Sequence, residues 1–195
     1  DVFCESGYFT KTETIAILEA GLKYGMSPKV HAEQLSHHGG IEAGVTCGAV
    51  SVDHLEYANE NDITLLAYSK TMPVLLPGAQ LFLGLQTPPV KQMLKAGLPV
   101  ALSTDFNPGS SPTGNMNQMV SLACILYKMT PSASIIAATS NSAYAMGLSR
   151  TYGSIAKGKK ANVFITRPIP STAYLPYYFG QVVIEKIILN GKIIN

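Results

Sequence analysis

Val100-Ala101-Leu102-Ser103-Thr104-Asp105-Phe106-Asn107-Pro108-Gly109-Ser110-Ser111-Pro112 runs from apolar and small residues into one carboxylate, then straight into a turn. A buried strand looks like this when it ends by presenting an acid at its C-terminal mouth, above a loop rich in backbone N–H groups. Two other buried-looking strands, Lys29-Val30-His31-Ala32-Glu33 and Ala49-Val50-Ser51-Val52-Asp53-His54, carry a histidine at or near their ends. Two histidines and an aspartate on separate strand ends read as a metal site assembled in three dimensions.

Working outward, short apolar runs alternate with helical patterns, the mark of parallel β/α units. Asp1–Glu5 reads as a strand. Thr10-x-x-Glu13 then reads as a capping box, followed by Ile15, Leu18 and Leu22 at helical spacing and a stop at Gly25. His38-Gly39-Gly40 opens a short helical segment, a weaker helix covers about Asn59–Tyr68, and Met72–Gly78 reads as a further strand. Pro88-Pro89 starts a helix that Gly97 ends. Beyond Asp105, helices are expected near 115–128 and 131–146, the second with Thr130 as N-cap, Pro131 at its first position and Gly147 as stop. From Gly153 the composition turns to β, and Asn190-Gly191 between apolar runs is a type I′ hairpin signal. Five β/α units are too few for a closed eight-stranded barrel, which takes roughly 250 residues. A five-stranded flavodoxin-like sheet is the alternative, and catalytic residue types at several strand ends favour the barrel.

With 195 residues, 47% hydrophobic and 13% charged, the chain can bury a substantial core. A net charge of +2 without a dense basic cluster leaves no footprint for nucleic acid. No apolar stretch is long enough for a bilayer and no leader pattern opens the chain. Cys4, Cys47 and Cys124 are odd in number and widely spaced, which suits reduced thiols in a cytoplasmic protein. The opening Asp1-Val2-Phe3-Cys4-Glu5 reads as the inside of a longer protein, of which this is the C-terminal portion.

Each candidate has a plain structural reading beside the functional one. His31 is a metal ligand or a hydrogen-bonded core histidine. Strand alternation allows only one of Asp53 and His54 to face a site. His54, an imidazole titrating near neutrality, is the better acid/base. Asp105 is a ligand or base, or else an N-cap. Asn107, Gly109 and Ser110 offer donors to an anionic or amide-bearing substrate, or form a tight turn only. His37-His38 reads as solvent-exposed, and Glu5 as lacking supporting neighbours. No Walker, dinucleotide or nucleophile-elbow pattern occurs.

Taken together, Asp1–Glu5, Lys29–Gln34, Asp53-His54-Leu55-Glu56, Leu75–Gly78 and Ser103–Pro112 make the chain resemble the imidazolonepropionase family of the amidohydrolase superfamily, in register over nearly all its length. The resemblance implies the C-terminal part, about strands four to eight, of an α/β metal-dependent-hydrolase (β/α)8 TIM barrel. It divides the chain into barrel residues 1–148 and strands of a small β-sandwich domain at 149–195. The implied reaction is hydrolysis of the cyclic amide 4-imidazolone-5-propanoate to N-formimidoyl-L-glutamate in histidine degradation, with one zinc or iron ion. His31 and Asp105 would hold the metal, and His54 and Asp105 would be catalytic. Gln34, Asn107, Gly109 and Ser110 would bind substrate, and a His-x-His pair would lie upstream. A small-molecule substrate, no nucleic acid or membrane partner, a homodimer and a cytoplasmic location go with that reading. Gln34 stands where some members carry Glu; it can hydrogen-bond a substrate but cannot shuttle a proton, which also speaks against deaminase chemistry. Another cyclic amidase or deaminase of the superfamily, or a non-catalytic piece lacking the upstream ligands, are the alternatives.

Overall fold

Apolar runs of this length pair in parallel only if an intervening helix returns the chain to the starting end of the sheet. In the computed structural model, which describes residues 1–194, five such runs form one sheet: β1 (Val2–Cys4), β2 (Lys29–Ala32), β3 (Ser51–His54), β4 (Met72–Leu75) and β5 (Ala101–Leu102). Every pairing is parallel and the spatial order is the chain order. A flavodoxin-like sheet reverses direction after its first strand; this one never reverses, and forms part of a β/α barrel wall.

The helices follow their start and stop residues. At the head of α1 (Lys11–Lys23), Thr10 Oγ1 accepts the Glu13 N–H at 3.3 Å, and Glu13 Oε2 accepts the Thr10 N–H at 2.9 Å. Of the expected apolar stripe, Leu18 is buried whereas Leu22 stays exposed. Next comes α2 (Gly40–Thr46), then α3 (Glu60–Ala67), where Asn59 and Asp62 form a second capping box. The strand expected over Met72–Gly78 stops early, because Pro77 opens α4 (Pro77–Leu83). Proline has no N–H for the ladder but its φ suits a first helical turn. After α5 (Val90–Lys95) comes α6 (Met116–Leu126).

The helix expected over 131–146 is split. α7 (Pro131–Ile136) passes through a π-helical turn (Ala137–Asn141) into α8 (Ser142–Ala145). That turn faces β5: Asn141 Nδ2 donates to the Val100 carbonyl and Ser142 Oγ to the Leu102 carbonyl, each at 2.7 Å. Polar side chains thereby satisfy acceptors of a strand at the sheet edge.

The main core lies between sheet and helices, with Val30, Ile41, Val52, Leu66, Met93 and Leu102 almost fully buried. α2 comes closest. A Cβ on Gly44 would stand 2.7 Å from Val52 Cγ1, and one on Gly40 2.8 Å from the Ala32 Cβ. Only glycine allows this approach, which brings the N-terminus of α2 beside the end of β2.

A second sheet is antiparallel, from β6 (Val163–Thr166), β7 (Ile184–Leu189) and β8 (Lys192–Ile193). Asn190 (φ 49°) and Gly191 (φ 78°) make the expected hairpin. Between β6 and β7 lies α9 (Tyr174–Tyr177), which the sequence did not suggest and which packs on α6. Among the described residues no helix is long and apolar enough to cross a membrane.

Candidate active site

Parallel register sets Phe3, His31 and Asp53 side by side on β1, β2 and β3. The Phe3 ring stacks on His31 at 3.5 Å between centroids, and the His54 ring lies 4.1 Å from that of His31. Both histidines are buried, His31 at 8% and His54 at 4% exposure. Of Asp53 and His54, it is the His54 ring that packs against His31, and it does so without following strand alternation. His54 (φ 87°) and Leu55 (φ 76°) leave the β region, so pleat alternation no longer governs where the His54 ring lies. Asp53 accepts from Ser51 Oγ at 2.8 Å, pairs with Lys29 Nζ at 3.5 Å and feels the charge of Asp105. Glu33 (φ 52°) and Asp105 (φ 49°) share the left-handed conformation, so β2, β3 and β5 are all followed by backbone strain.

Burial sets the electrostatics. It holds the His31 imidazole down at about 4, and that of His54, which also feels His31, at about 2. His54 therefore does not titrate near neutrality as its residue type suggested. Glu5 lies 3.8 Å from His31 Nε2, beyond hydrogen-bond reach, and with the ring neutral the contact is no ion pair. Burial also raises the Asp105 carboxyl, against hydrogen bonds from Ser110 and Asn107. Glu56, two residues past His54, has both carboxylate oxygens buried without a hydrogen-bond partner. Burial, followed by the charges of Glu5 and Asp105, pushes it up to about 8.

Among the described residues, His31 Nε2 and His54 Nδ1 also have no hydrogen-bond partner. Neutral, buried imidazoles with unpartnered ring nitrogens are donor chemistry suited to a divalent transition metal, and Asp105 adds a hard oxygen. No three His, Cys, Asp or Glu side chains among the described residues close around one point. The chain thus presents a partial donor set: the histidines are in contact, while Asp105 acts on the site through its field.

The loop after β5 is self-contained. Asn107 Oδ1 accepts the N–H groups of Gly109 and Ser110, each at 2.8 Å, and Asn107 Nδ2 donates to the Asp105 carbonyl at 2.8 Å and to Ser110 Oγ at 2.7 Å. Ser110 Oγ also lies 3.4 Å from Asp105 Oδ2. The expected free backbone donors are thus satisfied inside the turn, and a substrate would have to exchange with these bonds.

The loop after β2 corrects the reading of Glu5. That carboxylate is fully buried and accepts the N–H groups of Gln34, Leu35 (3.1 Å) and Ser36 (3.1 Å), plus the Ser36 hydroxyl at 2.9 Å. The Glu33 carboxylate takes the N–H groups of His38, Gly39, Gly40 and Ile41 at 2.7–3.3 Å, which caps α2. His37 is exposed as expected, yet its Nε2 lies 2.9 Å from Asp62 Oδ2. Gln34 is itself buried. Glu5 was legible as an acid at a strand end, whereas the capping role of Glu33 was not, and the partners of both follow from the folded placement of the 34–41 turn.

A family model described as the amidohydrolase family matches residues 9–194. The chain belongs to the amidohydrolase family. This amidohydrolase chain is 56% identical over 194 residues to an imidazolonepropionase of Flavobacterium johnsoniae and 53% identical to one of Christiangramia forsetii. Each match covers 100% of the chain and 47% of the relative. It is 42% identical to an imidazolonepropionase of Geobacillus thermodenitrificans, covering 46% of that protein. The chain thus spans about half the length of the curated relatives it matches. Among solved structures, an adenosine deaminase from Xanthomonas campestris with bound zinc superposes with a TM-score of 0.81 at 19% identity, over 95% of this chain and 49% of that one. Guanine deaminase of E. coli gives 0.76 at 16%, over 94% and 51%. At those identities the likeness is one of fold.

The depressed imidazoles make one contribution to how the metal-free amidohydrolase responds to acid. Their folded pKa values lie below the unfolded one, so the unfolded chain binds more protons as the pH falls. The stability they contribute is complete above about pH 6.5 and, for His31, is lost progressively down to about 4. Glu56, raised to about 8, acts in the opposite sense over the same range, so the difference between proteins is what reads the imidazoles: from pH 7 to pH 5 the thermal midpoint of the parent should drop relative to that of a His31→Asn/His54→Asn double variant. An equal change in the two proteins would assign the acid sensitivity elsewhere.

Proposed function

We propose that the whole protein containing this chain hydrolyses the ring amide of 4-imidazolone-5-propanoate, giving N-formimidoyl-L-glutamate. The observation that carries the reading is the pair of buried neutral imidazoles in ring contact at adjacent strand ends, in a chain whose Asp105 supplies a carboxylate from the last strand of the wall. Identity of 56% to an imidazolonepropionase over the chain's full length supports the choice of substrate. Barrel residues 1–148 carry the chemistry, and 149–195 belong to a small β domain.

His31 and Asp105 would hold one zinc or iron ion, with further ligands from outside this chain. Such an ion supplies Lewis acidity, acidifying a water and polarising the ring carbonyl. Asp105 receives the proton of the attacking water and returns it to the ring nitrogen as the C–N bond breaks, which leaves a carboxylate on one side and the formimidoyl nitrogen on the other. His54 stays a neutral ring and donates an N–H to the oxyanion as charge builds there. Asn107, Gly109 and Ser110 bind the substrate's polar groups by exchanging their loop bonds, and Gln34 hydrogen-bonds the ring amide. Phe3 holds the His31 ring in place.

The test is turnover by the purified whole protein, cytoplasmic and acting alone or as a homodimer on this reading. 4-Imidazolone-5-propanoate should be consumed with a metal requirement that chelation removes and zinc or iron(II) restores. Preference for guanine or a hydantoin would overturn the substrate assignment. Gln34 gives a sharper check. Gln34→Glu should leave the midpoints of the pH–rate profile in place, because the position binds and does not exchange protons. A new ionisation in that profile would mean that it does.

A further inference from the structure

Eight consecutive residues, 34–41, are each tied to one of three carboxylates. Glu5 takes the N–H groups of 34–36, Asp62 engages the ring of His37, and Glu33 takes the N–H groups of 38–41. Four hydrogen bonds converging on one fully buried carboxyl group hold a turn far more firmly than its own sequence would. The chain enters this turn through Glu33 in a left-handed conformation, which persists only where the surroundings over-determine it. Glu5 is the clamp on the Gln34 side. It comes from β1, a different strand from the one that carries His31, so the turn is fixed relative to the barrel wall and not merely to its own strand.

We propose that Glu5 is a positioning residue: by gathering the N–H groups of residues 34–36 it sets the Gln34 side chain where the substrate's ring amide is bound. This rests on the reading of Gln34 as a substrate contact. Glu5 touches no substrate; it acts through the turn. Because the turn is already fully bonded, Gln34 is held ready before substrate arrives, and binding spends little on ordering it.

The experiment uses the whole metal-loaded protein and the variants Glu5→Gln, Ser36→Ala and Gln34→Ala. Two readouts are followed: KM against kcat, and deuterium uptake of the peptide spanning 34–41. In Glu5→Gln one of the two acceptor oxygens becomes an NH2, which faces either the N–H groups of Gln34 and Leu35 or the N–H and hydroxyl of Ser36. The peptide should exchange faster, and KM should rise about tenfold with kcat little changed, the signature of lost binding in ground and transition state alike. Ser36→Ala removes one of the four donors and should shift both readouts the same way by less. It carries the test if Glu5→Gln does not fold. Faster exchange with KM unchanged in these variants, while Gln34→Ala raises KM, overturns the positioning role alone. An unchanged KM in Gln34→Ala removes the substrate contact, and the proposal with it.

Discussion

Asp105→Asn in the whole metal-loaded protein should lower kcat/KM by about a thousandfold or more and reduce the metal retained after dialysis. Asparagine suits the test because position 105 is left-handed (φ 49°), a conformation that Asn tolerates well. It also keeps the size of the side chain and an oxygen for Ser110, so what it removes is the negative charge and the ability to take a proton. Asp105→Ala loses the same functions with added backbone strain and should abolish turnover. Steady-state kinetics and metal analysis decide the matter. Near-normal activity in either variant would end the assignment of Asp105 as ligand and base.

The second large effect is at His54. His54→Asn should reduce kcat by about 10²–10³-fold while metal content stays close to that of the parent. Position 54 is also left-handed (φ 87°), so Asn again limits the backbone cost. The dissociation of the two measurements carries the argument: His31→Asn removes an assigned ligand and should lose metal, whereas His54→Asn removes an assigned oxyanion donor and should not. Equal metal loss in the two variants would make His54 a ligand.

Much of the barrel wall could be read from the chain because its signals are local. Thr10 with Glu13, Thr130 with Pro131, and Asn190 with Gly191 each specify a cap or turn within a few residues. The histidines and Asp105 were legible as polar residues closing apolar runs. The conformations at those ends were not. His54 was expected to obey the pleat, and no local residue signals its positive φ; the same holds for Glu33 and Asp105. The clamp was hidden for a related reason. Glu5 and Gln34 are 29 positions apart and meet because β1 and β2 pair in register. Burial misled once as well. His54 has the residue type of a neutral-range titrator, and only its packing against His31 inside the wall shows that the ring stays uncharged.

The strictly sequential order of the sheet also bears on when the site comes into being. Each strand needs only the one made just before it, so these β/α units can assemble in the direction of synthesis. β5 has a further requirement. Among the described residues it pairs with β4 alone, and the carbonyls of Val100, just before it, and of Leu102 wait for Asn141 and Ser142, some forty residues later. Asp105 is therefore the last part of the histidine–aspartate set to be fixed, and premature chains that end before α8 would carry all three of these side chains without a settled place for the carboxyl group.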